Sequence, residues 1–422
     1  MSEPLPSRSW LSRLGRRLRP LFSPDADRER ERFDAFVREQ RDAASVAQRR
    51  AASQSERLTE VFREVEHLRK VQTGLRSRVT RELQFSERVL RRVSERSVEI
   101  DEERVLVRLE RLAKGSGPVL VGPWAGEVGF EVVYWIPFVR WALGHAGIDP
   151  ARVTVLSRGG TASWYAGLWG DYAEVLDYTT PDEFRERTAV SRKQRGLTAF
   201  DRDLLRRVAR VRGTAYGLIH PAMMYTLFYP YWRRDAPFSR VAAYARFRRH
   251  EPPPLGGLEG QLPAEYTAVR FYFSDCFPDT PENRRFAAAT VQRLAEQGEV
   301  VVLKVGGGLD DHSDMTASVR QRVHVVDAGQ SLRDNLGVQS AVIARARAFV
   351  GTYGGFSYLA PIYGVDSLAF YSHKTFQVTH LHAAQHMLGE VGGGALMPLD
   401  VAQTPLLEQA FRAGPAPAPP AR

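Results

Sequence analysis

The sequence predicts an α/β fold: two parallel-sheet halves facing a cleft, preceded by a long N-terminal helix or coiled coil. Three observations predict it. From residue 117 onward, short apolar runs alternate with helical patterns and close in glycine turns, the rhythm of β-α-β units. The stretch Glu251-Pro252-Pro253-Pro254-Leu255-Gly256-Gly257 divides that region in two, as a linker would. Residues 26–113, by contrast, hold no Pro and one Gly (Gly74), and repeat apolar residues in heptads.

The expected segments follow in order: 1–25, a basic amphipathic or disordered tail; 26–115, the long helix; 116–250, the first α/β half; 251–262, the linker; 263–411, the second half; and 412–422, a Pro/Ala-rich disordered tail. In the first segment Trp10, Leu11, Leu14, Leu18, Leu21 and Phe22 recur at near-helical spacing among arginines. That pattern suits a helix lying on anionic lipid, although Pro20 and Pro24 cut it short. In the long helix Leu58, Val65 and Val79 form one seam, and Val61, Leu68, Leu75 and Val89 a second, interrupted by Gln72, Glu82 and Ser86. A coiled coil between subunits is expected. The alternative is a single helix packed back on the rest of the chain.

The first half opens on Val119 to Val121, a strand that breaks into the turn Gly122-Pro123-Trp124-Ala125-Gly126-Glu127-Val128-Gly129. A helix is expected over Val132 to Leu143. Further strands are expected over Arg152 to Ser157, followed by Arg158-Gly159-Gly160, over Ala173 to Leu176, and over Tyr216 to Ile219, ending at His220-Pro221. Residues 182–212 read as one basic helical stretch, and Met223 to Trp232 as an aromatic cluster. In the second half, strands are expected over Tyr266 to Phe273, Val300 to Lys304, Val323 to Val326, Ala348 to Val350 and Ser367 to Tyr371. Helices are expected over Pro281 to Gln297, Leu336 to Arg347 and Ser357 to Tyr363.

Composition limits the function classes. A net charge of +10 and a pI near 9.8 suit an anionic partner: a membrane surface, nucleic acid or a phosphorylated substrate. Nucleic-acid binding through the Arg-rich helix is not expected, because Glu is interleaved throughout and aromatics are scarce. The single cysteine, Cys276, leaves no internal disulfide and no Cys-based zinc site, and fits a reducing cytoplasm. Apolar runs fall short of the roughly 20 residues of a membrane span, and the N-terminus lacks a signal-peptide core. The expectation is a cytoplasmic protein, soluble or peripheral on the membrane's inner face.

The motif with the most chemistry is Gly351-Thr352-Tyr353-Gly354-Gly355-Phe356-Ser357, between a strand and a helix. Backbone N–H groups and a positive helix end at such a place suit a diphosphate, with Thr352 and Ser357 as added hydroxyl donors. The glycines also suit a tight turn with no ligand. Asp201-Arg202-Asp203 lies inside a helical pattern without the strand a metal site would need. Asp310, Asp311, His312 and Asp314 read as a solvated loop, so no metal site is expected.

Ala348 to Pro361, followed by Tyr363-Gly364-Val365 and Ala369-Phe370-Tyr371, resembles the nucleotide-sugar-binding end of GT-B glycosyltransferases, in particular the heptosyltransferase and O-fucosyltransferase-like groups. Tyr358-Leu359-Ala360 takes the place of their small-residue helix stretch. The chain departs from the heptosyltransferase pattern where Thr352 or Tyr353 stands in place of an acidic residue. The resemblance implies two Rossmann-like domains and a nucleotide-diphosphate sugar as donor substrate, with no bound cofactor or metal. It also implies a glycan or lipid-linked acceptor. Basic side chains and a helix N-terminus would then neutralise the leaving diphosphate. Donor-side candidates are Arg270, Asp275, Asn283, Lys304, Gly351, Thr352, Tyr353, Gly354, Gly355 and Ser357, with Asp279 expected to cap the following helix. An inverting transfer needs a base. Glu127 in the opening turn is the first candidate and His220 the second, with Trp124, Gly126, Gly129 and Arg158 on the acceptor side. Glu131 reads as structural. The other readings are a non-catalytic coiled-coil scaffold and a sugar-nucleotide epimerase.

Overall fold

The computed structural model describes residues 26–189, 193–304, 313–314, 321–373 and 378–404. The expected tails at 1–25 and 412–422, and the loop residues Asp310 to His312, lie outside the described residues. The chain forms two compact units, one ending at Val93 and one starting at Ser94. The first unit is helical, part of helix α1, Ala26–Lys114. Val61, Leu68, Leu75 and Val79 in it are exposed.

The second unit holds the end of α1 and both sheets. Val105 and Leu109 of α1 are buried in the same core as the first sheet. That sheet comprises β1 (Val119–Val121), β2 (Val153–Ser157), β3 (Asp171–Glu174) and β4 (Gly217–Ile219), in the order β3-β2-β1-β4. Every pairing in it is parallel. After β1 come a helical turn (Val128–Phe130), a π-helical turn (Glu131–Trp135) and helix α2 (Ile136–Ala146). The helical region thus starts at Val128, earlier than the apolar periodicity implies, because the glycine turn itself winds into it.

The third strand lies two residues earlier than expected. Glu174 accepts a bond from Leu176 N and folds Val175–Asp177 into a 3₁₀ turn. The basic stretch 182–212 is two helices, α3 (Pro181–Thr188) and α4 (Ala199–Arg212). A reciprocal Thr198–Asp201 capping box starts α4 afresh. The aromatic cluster is helix α5 (Pro221–Trp232), and a short helix α6 (Ser239–Ala243) follows.

The second sheet is built from β5 (Thr267–Arg270), β7 (Val300–Lys304), β9 (Val323–Asp327), β10 (Ala348–Thr352), β11 (Asp366–Tyr371) and β12 (Leu396–Asp400). Its order is β12-β11-β10-β5-β7-β9, again all parallel. The single strand expected over Tyr266 to Phe273 is split: β6 (Tyr272–Phe273) leaves the sheet to pair antiparallel with β8 (Ser313–Asp314). Helix α7 (Pro281–Gln297) and strand β7 match their expected bounds. The remaining helices are α8 (Asn335–Ile343), α9 (Gly355–Ile362) and α10 (Val378–Val391). Gly351 and Thr352 belong to β10, so the glycine turn is only Tyr353 and Gly354. The expected α/β architecture with two parallel sheets is present.

Candidate active site

The carboxyl ends of the two sheets meet inside the second unit. Two close backbone approaches join them, and each needs glycine. A methyl at Gly355 would lie 2.7 Å from Gly129 N and 2.8 Å from Val128 Cβ. A methyl at Gly337 in α8 would lie 2.7 Å from the Gly160 carbonyl oxygen. Gly159 O accepts bonds from Leu336 N and Gly337 N, each at 2.9 Å, so the α8 N-terminus is capped by the turn after β2. Trp164 Nε1 donates to Ser340 Oγ at 2.9 Å across the same junction.

On the first-sheet side, Glu127 is exposed and precedes the helical turn whose Val128 and Gly129 touch Gly355. Arg158 is buried behind it, with Nη2 donating to Gly126 O at 2.5 Å. Glu131 is fully buried and accepts from Ser157 Oγ and Tyr165 OH, both at 2.7 Å. Burial pushes the Glu131 carboxyl up to about 7, against the pull of Arg158 and its two hydroxyl donors. Glu174, also pushed up by burial, accepts from Gly159 N and Gly160 N, each at 3.1 Å. Trp124 is fully buried and stacks on Trp135 at 5.8 Å, a core contact.

His220 is buried beneath the opening turn. Its Nδ1 accepts from Ala222 N and caps α5, and its Nε2 lies 3.3 Å from Asp201 Oδ2. Burial works upward on Asp201, but His220 and the Thr198 N–H outweigh it and hold the carboxyl below its ordinary range. Gln194 connects this pair to the turn: Oε1 accepts from Ala125 N at 3.0 Å, and Nε2 donates to Pro123 O at 2.8 Å and Asp201 Oδ1 at 3.2 Å. The geometry makes His220 a support for the turn carrying Glu127.

On the second-sheet side, Gly354 has φ +155, and a methyl there would run into the Tyr272 hydroxyl. Ser357 Oγ accepts from Gly354 N at 3.1 Å and donates to Gly354 O at 2.7 Å, so it caps its own helix. Thr352 is buried, and its hydroxyl donates to Tyr272 O at 2.7 Å while accepting from Tyr272 N. Tyr353 OH accepts from Tyr358 OH at 2.5 Å. Arg270 is buried with its guanidinium 4.0 Å from the Phe356 ring centre and a bond to Gln339 Oε1.

Three other donor-side candidates remain: Asn283, Asp275 and Lys304. Asn283 Nδ2 donates to Pro278 O at 2.7 Å and Ser372 Oγ at 2.8 Å, inside the α7 start. Thr280 caps α7, and Asp279 pairs with Arg284 at 2.5 Å, so Asp279 is not the cap. Asp275 is exposed in the preceding loop, next to Cys276, whose Sγ donates to Tyr353 O at 3.4 Å. Lys304 lies 3.7 Å from Asp327 Oδ2, two strands away from β10.

The structure therefore brings together Glu127, Gly126, Gly129 and Arg158 with Arg270, Tyr353, Gly354, Gly355 and Ser357. Gln194 and Gln339 are the additions that sequence reasoning missed, while Glu131, read as structural, lies buried beneath the opening turn. Glu131 had one signal, as the only acid in the otherwise apolar run from Val128 to Val139. Gln194 had none. Among the described residues, no group of three or more His, Cys, Asp or Glu is placed to hold a metal ion. No described helix is long and apolar enough to cross a membrane.

No family model matches the sequence, and no curated protein does either. Among solved structures, the chain is similar to the ADP-heptose LPS heptosyltransferase II of E. coli, at 11% identity and TM-score 0.37 over 61% of this chain and 85% of that one. It is also similar to a family 9 glycosyl transferase from Veillonella parvula, at 11% identity and TM-score 0.38 over 70% and 89%. A third is E. coli heptosyltransferase WaaC with ADP, at 13% identity and TM-score 0.36 over 70% and 99%.

Proposed function

We propose that this chain is a glycosyltransferase that moves a sugar from a nucleotide-diphosphate donor to a glycan or lipid-linked acceptor, without a bound metal. One observation carries the proposal. The carboxyl ends of two parallel sheets meet where Val128 and Gly129, which directly follow the exposed Glu127, pack against Gly355 at the N-terminus of α9. A helix N-terminus stabilises developing diphosphate charge, and a carboxylate across from it takes the acceptor hydroxyl proton. Arg158 and Arg270, buried behind the two turns, add positive potential on both sides.

Gly129 lies against Gly355 in this structure, and Ser357 already caps α9. Donor entry then requires the two turns to part, so this is the closed arrangement. The same contact favours a second reading, a scaffold whose cleft stays shut. A thermal-shift screen with nucleoside diphosphates separates the two: stabilisation by one nucleotide fits the transferase, and no shift with any fits the scaffold. In a donor-hydrolysis assay, Glu127→Gln should lower turnover about 100-fold or more while leaving the nucleotide shift intact. Equal turnover by both forms would remove Glu127 as the base. We further place the protein at an anionic membrane surface through residues 1–25, with a second copy as partner through α1. Loss of liposome binding on deleting residues 1–25 tests the membrane part.

A further inference from the structure

Among the described residues, α1 carries a line of exposed apolar side chains, and its heptad register extends well beyond the two seams noted above. Positions 33, 37, 40, 44, 47, 51, 54, 58, 61, 65, 68, 72, 75 and 79 alternate in steps of four and three. They hold Phe, Val, Gln, Ala, Ala, Ala, Gln, Leu, Val, Val, Leu, Gln, Leu and Val. None is charged, although residues 33–79 contain 17 charged side chains. Arg30 and Glu82, at the next seam positions on either side, end the run. A solvated helix has no reason to keep every charge off one stripe for this length. Among its described residues, Phe33, Val61, Val65, Leu68, Leu75 and Val79 are exposed, from 42% at Val65 to 62% at Phe33.

We propose that this face pairs with the same face of a second copy, parallel and in register, as a two-stranded coiled coil over residues 33–79. The proposal deepens the self-association placed above and rests on it. Three observations choose the geometry. Over residues 65–79, Val65 and Val79 occupy one seam with Leu68 and Leu75 in the other, the β-branched and leucine assignment that favours two parallel strands, while Leu58 and Val61 stand the other way round. In register, each polar seam residue (Gln40, Gln54 and Gln72) meets its own copy, where the side-chain amides bond to each other. Run antiparallel over the same span, Gln40 would still meet Gln72, but Gln54 would face Leu58. In the flanking charges the distinction is repulsion: parallel strands set Glu64 against Arg69 of the second copy and create no like-charge pair. The antiparallel overlap opposes Arg41 to Arg69 and Arg57 to itself, although it also pairs Asp34 with Arg76 and Arg50 with Glu64.

The test uses the full chain with Cys276→Ser, so that an introduced thiol is the only one. Light scattering at tens of micromolar should give the mass of two 47.5 kDa chains. Leu68→Glu should halve it, while Arg63→Glu on the outer face should not change it. Under copper–phenanthroline oxidation, Gln72→Cys alone should form a covalent dimer. A monomeric mass for the parent, or no effect of Leu68→Glu, overturns both the self-association and this register. Cross-linking of Gln72→Cys only when mixed with Gln40→Cys overturns the parallel register and keeps the self-association.

Discussion

The two turns that meet inside the second unit are built by opposite means. The turn after β1 rests on buried charge and amide: Arg158 on Gly126 O, Gln194 on Pro123 and Ala125, and Glu131 one turn below. The turn after β10 has no charged residue of its own. It is fixed by a helix cap, a hydroxyl pair and the absence of Cβ atoms. The first kind of turn tunes a side chain electrostatically. The second presents backbone N–H groups, whose strength does not depend on pH. In the proposed reaction, the turn with titratable support carries the proton chemistry, and the turn without it receives the diphosphate.

The sharpest way to break this pairing is Gly355→Val. The added atoms meet backbone on the opposite side, at Gly129 N, which has no rotamer to shift. Overpacking of this kind costs about 3 kcal/mol, so urea unfolding should show a loss of that order together with loss of nucleotide binding. Gly389→Ala, where nothing lies within 4 Å, is the control and should be neutral or slightly stabilising. Equal stability of the two variants would mean that the turns are not in contact.

A buried carboxyl under only one of the turns predicts a pH dependence. The Glu131 carboxyl lies at about 7 when folded, above its ordinary 4.5. The folded state therefore holds this proton more tightly than the unfolded state. Its contribution is complete below pH 4.5 and is lost as pH rises through about 7. A shift of this size is worth on the order of 3 kcal/mol. Wild type minus Glu131→Gln, compared at pH 4.5 and 8, should show that difference. Glutamine keeps the acceptor for Ser157 and Tyr165 and removes only the ionisation. Parallel stability–pH curves for the two proteins would contradict the buried, protonated carboxyl.

How much of this the sequence showed follows from what periodicity records. Apolar runs report burial of strands, so β1, β2, β7 and β10 and helix α7 were legible. Strand β12 was not, because Pro398 argues against a strand except at an edge, which is where β12 lies. The break inside 182–212 was legible in hindsight from Thr198 and Asp201 but was outweighed by the run of arginines. At the site, Glu127 stood out because glycines flank it at 126 and 129. His220 stood out for its place at a strand end, yet it serves as a helix cap. Gln194 supports the opening turn from 69 residues away, and no local pattern carries a contact of that span.

Gln194→Ala gives the next smaller effect. Removal leaves Ala125 N buried without its acceptor, at a cost of about 1–3 kcal/mol. Because the amide steadies the turn that bears Glu127, turnover should fall more than nucleotide affinity does. A Gln194→Ala enzyme with normal turnover and reduced stability would confine the residue to folding.

Lys304→Ala separates the turns' roles with almost no change in stability. Lys304 and Asp327 are both partly exposed and 3.7 Å apart, a geometry worth about 0.5 kcal/mol or less. The lysine ends β7, whereas the turn facing Glu127 follows β10, with β5 between them. If the diphosphate is received by backbone at Gly354–Gly355, the thermal shift given by a nucleoside diphosphate should survive Lys304→Ala. It should be reduced by Arg270→Ala, whose guanidinium lies against Phe356 at the start of α9. The reverse result would move donor recognition from the glycine turn to the end of β7, and would assign the charge-free turn a packing role only.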